Sequence, residues 1–548
     1  MLFSKRANVL LLVIVLAVLG AYVLWPTLEV FRTGLSPTNL KNLFPGSSSA
    51  NSRALFNSVW ISLWTVVGAG VLGTSLAYLL HRFDFPGRRV LVGVAALPLA
   101  LPPLVGVLAF LFLYGESGIL PRGLQALLGL ENVPFAFSGL WAVWLVHVYS
   151  MYVFFYLFAA SALKSLDRSQ VEAAEDLGAG GWGVLRTVIL PHLRPSMTSA
   201  ALLVFMISMA SFTAPLLFAG TEQFLTLQIY NYKMNGNLDM SAAVSVLLTA
   251  ICLLFLFLIE FGNRRSRPGS GKGTPVPARP VTSVWARYAA LSGALLMLTF
   301  LLLPVATVVL ISFVQEGSWT YQILPQAYTV SNYTGLFADP DVLAPVLNSV
   351  RMATLATIAN LIFGVTAALF IVKGTIPGRT LVRVLATLPF AIPGTVIAIN
   401  LIVTFSEPSA LTGGSVLVGT VWLLPLAYFI RHIPLVVRST TAALESFDDR
   451  LTDASTDLGA STATTVRRVV LPVIAPGIVA GTLLTFVTAL GEFVSSILLY
   501  VFDNRPISVE ILSQLRLYDF GAAAAYSVFL MLLIGAATFL TAKYRTTY

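Results

Sequence analysis

Asp176-Leu177-Gly178-Ala179-Gly180-Gly181-Trp182-Gly183-Val184-Leu185-Arg186-Thr187-Val188-Ile189-Leu190-Pro191-His192-Leu193-Arg194-Pro195 returns later in the chain as Asp457-Leu458-Gly459-Ala460-Ser461-Thr462-Ala463-Thr464-Thr465-Val466-Arg467-Arg468-Val469-Val470-Leu471-Pro472-Val473-Ile474-Ala475-Pro476. The stretches agree at nine of twenty positions with an offset of 281 residues. Chance gives about one agreement, so the chain is an internal duplication. Upstream the offset is 291: Asn57-Ser58-Val59 recurs as Asn348-Ser349-Val350, Pro86-Gly87-Arg88 as Pro377-Gly378-Arg379, Leu97-Pro98 as Leu388-Pro389, and Pro102 as Pro393. The change of offset falls where the loop 115–137 of the first copy is longer than its counterpart 405–414.

Composition supplies the solvent in which each copy folds. Of 548 residues, 57% are apolar or aromatic and 10% are charged, with a mean hydropathy of +0.85. A soluble protein carries roughly a quarter charged residues. Stretches able to cross about 30 Å of hydrocarbon number twelve: 8–31, 56–80, 90–114, 138–160, 198–219, 239–261, 287–313, 347–372, 381–404, 415–437, 478–500 and 519–542. The first follows Lys5 and Arg6 and reads as a retained anchor, because its apolar run is too long for a signal peptide and no small-residue cleavage site closes it.

With both termini cytoplasmic, 25 of the 33 Lys and Arg residues fall inside and eight outside, Arg431 being counted with the inside group. This positive-inside bias accounts for the net charge of +9 and leaves no need for a nucleic-acid partner. The single Cys252 excludes an intramolecular disulfide and a cysteine-based metal cluster.

The polar segment 263–286 divides the chain almost in half, into a first half 1–262 (core 56–261) and a second 287–548 (core 347–542). Its Gly271-Lys272 is no phosphate loop: Ser266 and Gly273 stand where that motif needs Gly and Ser or Thr. Six spans per half is an even number, so the halves enter the membrane in the same sense. The expected fold is an all-α polytopic membrane protein of about twelve transmembrane helices in two parallel six-helix repeats. Such repeats place a pathway at their interface, around an axis along the membrane normal.

The longest cytoplasmic loop of each half, between its fourth and fifth spans, contains the strongest repeat. Val171-Glu172-Ala173-Ala174-Glu175-Asp176-Leu177-Gly178 reads as a short helix ended by Gly178, and a second helix leads into Val188-Ile189-Leu190-Pro191. This sequence resembles the EAA loop of binding-protein-dependent ABC importer permeases. Glu172, Ala173, Ala174, Gly178, Val188, Leu190 and Pro191 fit the pattern, and Asp453, Ala454, Ser455, Gly459, Val469, Leu471 and Pro472 hold the same places in the second half. The second head is degenerate, while its Gly and Leu-Pro are kept.

The resemblance implies that each loop docks on one subunit of a cytoplasmic ATPase homodimer, with Asp176 and Asp457 joining the residues above in coupling. ATP and Mg would then be bound by that partner, with no cofactor in this chain. It also implies a periplasmic or lipid-anchored binding protein, since the longest outside loop, 314–346, is too short for a substrate-capturing domain. The location implied is the cell inner membrane, within its lipid.

Ionisable residues at membrane depth are functional candidates. Glu492 lies in Leu490-Gly491-Glu492-Phe493-Val494-Ser495-Ser496, and its counterpart at offset 281 is Ser211 in Ala210-Ser211-Phe212-Thr213-Ala214-Pro215. Counted from Val479 at 1.5 Å per residue, Glu492 lies about 20 Å into its span. Ser211, Phe212, Thr213, Glu492, Phe493 and Ser495 are the expected pathway residues, and a lone carboxylate there would favour a cationic cargo. Gly-Glu-Phe is similar to permeases for ferric iron, thiamine, polyamines and oxyanions, and fusion of two halves is most similar to ferric iron and thiamine systems. Ferric iron therefore leads, with thiamine, polyamine or phosphonate as alternatives.

His147 and His432 read as a core residue and an interfacial residue, not metal ligands, and Asn360 and Asn400 as path-lining or helix-tying positions. No catalytic cluster is visible, and the chain is not expected to be an enzyme. The rival class is a secondary transporter driven by an ion gradient, which leaves the duplicated loop unexplained.

Overall fold

Proline decides where several of the apolar runs stop. The residue before a proline is driven to extended backbone, and Leu101 (ψ 131°) and Ile392 (ψ 119°) take that conformation before Pro102 and Pro393. The expected continuous spans 90–114 and 381–404 are thus both broken. In the first, short helices Arg88–Val94 and Leu97–Ala100 precede Pro103–Tyr114. In the second, Arg379–Ala391 meets Gly394–Phe405 at a bend of 108°. The structure, a computed structural model, describes residues 5–46, 49–265, 276–319 and 322–547. Much of the expected linker, including Gly271-Lys272, lies outside them.

Among the described residues the chain is all-α apart from one two-residue strand pair, Phe83–Asp84 with Arg279–Pro280, and an isolated bridge between Val314 and Tyr328. Ten helices there are long and apolar enough to cross a membrane, or eleven if the bent pair is one span. The expected span 415–437 corresponds to the helix Leu423–Glu445, which contains Arg431 and Arg438 and is not among the ten.

Two compact units cut across the two sequence halves. One comprises Gly46–Gln228 and Ala250–Tyr328. Its helices Ala50–Arg82 and Leu140–Lys164 pack at backbone distance, because Gly73 has no Cβ; one built there would lie 2.3 Å from the carbonyl oxygen of Tyr152. Close approach through small residues is the main way helices gain contact in lipid. The buried tyrosines then find backbone partners: Tyr149 donates to Leu301 O at 2.9 Å and Tyr152 to Ala95 O at 2.7 Å. The helix Val284–Ile311, which opens the second sequence half, belongs to this unit.

The other unit comprises Met1–Pro45, Ile229–Thr249 and Thr329–Tyr548. The N-terminal helix, Lys5–Leu19 followed by a π turn Gly20–Leu24 and the helix Trp25–Gly34, packs on the broken span. Asn400 donates to Thr27 Oγ1 at 3.2 Å, and Asn8 to Thr375 Oγ1 at 3.0 Å. Asn360 donates to Phe429 O at 3.1 Å. Asn360 and Asn400 therefore tie helices together within this unit.

Candidate coupling loops and pathway residues

The first loop helix, Arg168–Asp176, begins where Asp167 accepts the Ser169 N–H at 3.1 Å, an N-cap that satisfies one orphan donor. It ends in a Schellman turn: the Gly178 N–H donates to Glu175 O at 2.9 Å and the Ala179 N–H to Ala174 O at 3.0 Å. Gly178 has φ +86°. The second loop helix, Arg450–Asp457, ends in the same turn, with Gly459 donating to Thr456 O at 2.9 Å and Ala460 to Ser455 O at 3.1 Å, and Gly459 at φ +79°. The glycine expected to end the first helix does so in both loops, in the left-handed conformation.

The helix after each glycine does not stop at the Leu-Pro pair. Gly181–Met209 and Thr462–Leu490 each form one continuous apolar helix of 29 residues. Each passes through a π turn, Leu185–Ile189 or Val466–Val470, where the Leu190 N–H bonds Leu185 O and the Leu471 N–H bonds Val466 O. Pro191 and Pro472 lack an N–H, and the widened turn next to them accommodates the missing helical bond. The second helix of each loop and the span are thus one continuous helix, joined to the first loop helix through the glycine turn.

Burial repeats along both loops. Val184 and Ile189 face the core, as do Thr465 and Val470, while Leu177 (89% exposed) and Leu458 (88%) stand out into solvent. Trp182 is also exposed, at 73%. Each loop therefore presents an exposed leucine beside its glycine. The loops differ in how they are held together. Ala174 packs against the core in the first, whereas Ser455 and Thr465 pair their hydroxyls at 2.9 Å in the second. Glu172 pairs with Arg168 at 2.5 Å on the exposed face, and Ala173, Asp176, Asp453, Ala454 and Asp457 are likewise exposed.

The expected pathway residues sit where the fifth span of each half breaks. Leu190–Met209 ends before Ser211 and resumes at Thr213–Phe218; Leu471–Leu490 ends before Glu492 and resumes at Ser496–Leu499. The expected continuous spans 198–219 and 478–500 are both interrupted here. Phe212, Thr213, Glu492, Phe493 and Ser495 are all buried, and Ser211 is half-buried.

Glu492 is not a lone charge. Its Oε2 lies 2.9 Å from Arg431 Nε, and its Oε1 accepts the Ser495 N–H at 2.9 Å. Ser496 and Ser508 hydroxyls donate to its backbone carbonyl at 2.6 and 2.8 Å. Arg431, counted with the inside basic residues from sequence, is thus the interior partner of Glu492, and the inference of a cationic cargo from an uncompensated carboxylate does not stand. The guanidinium packs directly on Gly394, where a built Cβ would lie 1.6 Å from Arg431 Nη1.

At the equivalent break of the first half, His147 Nε2 bonds Ser211 Oγ at 2.8 Å and Nδ1 bonds Ser208 Oγ at 3.1 Å, with Ser62 donating to Ser208 at 3.0 Å. At offset 281, His147 corresponds to Tyr428, whose hydroxyl bonds Ser496 Oγ at 2.7 Å. Sequence reading missed these side-chain clusters. The signal that could have found them is the pairing of Arg431 with Glu492 as two opposite charges at membrane depth. His432, read as interfacial, is buried and bonds Tyr428 O at 2.7 Å.

The model of the family described as binding-protein-dependent transport system inner membrane component matches residues 69–268 and 360–544, one match in each sequence half and each containing a loop. A Sinorhizobium fredii protein described as a probable ABC transporter permease, y4fN, is 30% identical over 96% of this chain and 93% of its own length. The ferric transport system permease protein FbpB of Actinobacillus pleuropneumoniae is 26% identical over 88% of this chain and 70% of its own. The thiamine transport system permease protein ThiP of Salmonella typhimurium is 33% identical over 37% of this chain and 38% of its own.

Proposed function

The chain belongs to the family of binding-protein-dependent transport system inner membrane components, the permeases of ABC importers, and from that premise we propose that its cargo is ferric iron. The observation that carries this reading is the extent of similarity. The likeness to a ferric permease runs through 88% of the chain, both halves included, whereas the likeness to a thiamine permease covers 37%.

In this reading the loops at Glu172–Pro191 and Asp453–Pro472 dock a cytoplasmic ATPase homodimer, and an external binding protein delivers the cargo. Both termini and both loops lie on the cytoplasmic side. The geometry supports a direct transmission. A helix of 29 residues, about 43 Å at 1.5 Å per residue, joins each docking loop to a pathway break. Closure of the ATPase pair on ATP would push on the exposed Leu177 and Leu458 sides of the loops. The displacement would pass through the glycine turn into the continuous helix of each half and reach Ser211 and Glu492 at its far end, in the manner of alternating access. The buried pair Arg431–Glu492 and the cluster His147–Ser208–Ser211 would hold each break in one arrangement until that push arrives.

The test is uptake by cells carrying the complete importer, with labelled ferric iron, thiamine, polyamine, sulfate and phosphonate offered separately. Ferric iron uptake that disappears on deletion of this chain supports the proposal. Uptake of another of the five instead would replace the cargo while leaving the permease standing.

A further inference from the structure

The end of the segment joining the two sequence halves is docked in the structure. Arg279 and Pro280 pair in register with Phe83 and Asp84, and the Val281 N–H donates to Asp84 O at 3.2 Å. Val276 and Val281 pack against the apolar core of the same unit. The strand pairs with the two residues that follow the helix Ala50–Arg82, and its Arg279 forms an ion pair with Glu175. Glu175 also lies 3.6 Å from Arg82, whose side chain is only 9% exposed. One carboxylate in the last turn of the first loop helix therefore receives two guanidiniums from two different elements.

The second loop lacks this arrangement. Thr456 stands where Glu175 stands in the first, and Lys373, the counterpart of Arg82 at offset 291, pairs with Asp449 at the start of the loop helix. Lys373 also lies 5.2 Å over the ring of Phe447. The first loop is held at its glycine end and the second at its opening end.

We propose that residues 276–283 are a stay for the first coupling loop, with Arg279 as a positioning residue that sets the loop helix through Glu175. A surface ion pair alone contributes little, because both partners stay hydrated. Here the strand bonds fix the Arg279 backbone in advance, so the pair forms with little further loss of chain entropy. Glu175 is in addition the counterion of a nearly buried Arg82, which gives it a fixed place. The consequence is that the two docking loops are unequal in stiffness, and that the chain joining the halves acts on one of them.

This inference rests on the reading of the loops as ATPase docks, and the experiment separates the two. In the assembled importer, amide hydrogen exchange is followed in 172–180 and 453–461, together with ATP hydrolysis stimulated by the loaded binding protein. Arg279→Ala should speed exchange in the first loop by about threefold or more, leave the second unchanged, and lower stimulated hydrolysis in proportion. Arg279→Lys should restore most of both. Val281→Pro, which removes the strand bond without touching Glu175, should reproduce the alanine result. Unchanged exchange in the first loop, equal change in both loops, or faster exchange with full stimulation would overturn the stay. Gly178→Val serves as the reference: stimulation that survives it as well would overturn the docking reading underneath.

Discussion

Replacing Gly178 tests whether the left-handed turn, and not a side chain, shapes the docking loop. At φ +86° an L-residue costs about 1–2 kcal/mol relative to glycine. No atom lies within 4 Å of a Cβ built at Gly178 or Gly459, so no clash adds to that backbone cost. Gly178→Ala should therefore cost about 1 kcal/mol, Gly178→Val more because of its branched Cβ, and Gly178→Asn least because Asn enters this region readily. Since about 1.4 kcal/mol is tenfold in an equilibrium, the population of correctly closed loops should fall several-fold for Ala and roughly tenfold or more for Val. The assay is retention of the ATPase subunit on the purified permease, with membrane insertion measured in parallel. The expected order of retention is Gly, Asn, Ala, Val, with the same order at Gly459 and the lowest value in the Gly178→Val, Gly459→Val double variant. Equal retention across the series would refute the turn as the determinant, and an Asn variant as poor as Val would show that side-chain bulk at the partner surface matters instead.

Glu492→Gln strands Arg431 and should lower the unfolding free energy in detergent by up to about 3 kcal/mol, the lower end of the range for buried pairs because Arg431 is 30% exposed. Adding Arg431→Met should recover part of that loss, which thermal unfolding of the two variants would show. His147→Ala removes one partner of Ser208 and the imidazole bonded to Ser211, and should cost about 1–3 kcal/mol by the same measurement. Leu177→Ser and Leu458→Ser change side chains almost wholly in solvent, so stability should shift by less than about 0.5 kcal/mol while ATPase retention falls.

The loops were the most legible part of the chain, because a glycine placed after a short polar helix and repeated 281 residues later has few other physical readings. The broken spans were harder. Pro102 and Pro393 were visible as a repeat, yet the apolar residues around them average into an unbroken hydropathic run. The π turns have a signal in Pro191 and Pro472, but their register depends on how the helix continues past the proline. Arg431 was misplaced because a basic residue next to a histidine looks interfacial until its partner, 61 residues away, is brought alongside. Which helices share a compact unit was not legible at all. A constant offset relates positions in two copies and carries no information on packing, so the placement of 1–45 with 329–548 emerges only from contacts such as Asn400 with Thr27.

The claim that this chain is a conduit driven from outside itself through two loops is tested most directly in proteoliposomes. The purified chain is reconstituted with and without its ATPase subunit, ferric iron is supplied on the binding protein, and ATP hydrolysis and iron entry are recorded together. The expected result is no hydrolysis and no entry without the ATPase, both with it, and loss of both in the Gly178→Val, Gly459→Val double variant. Hydrolysis by the chain alone, or entry driven by an ion gradient in the absence of the ATPase, would contradict it.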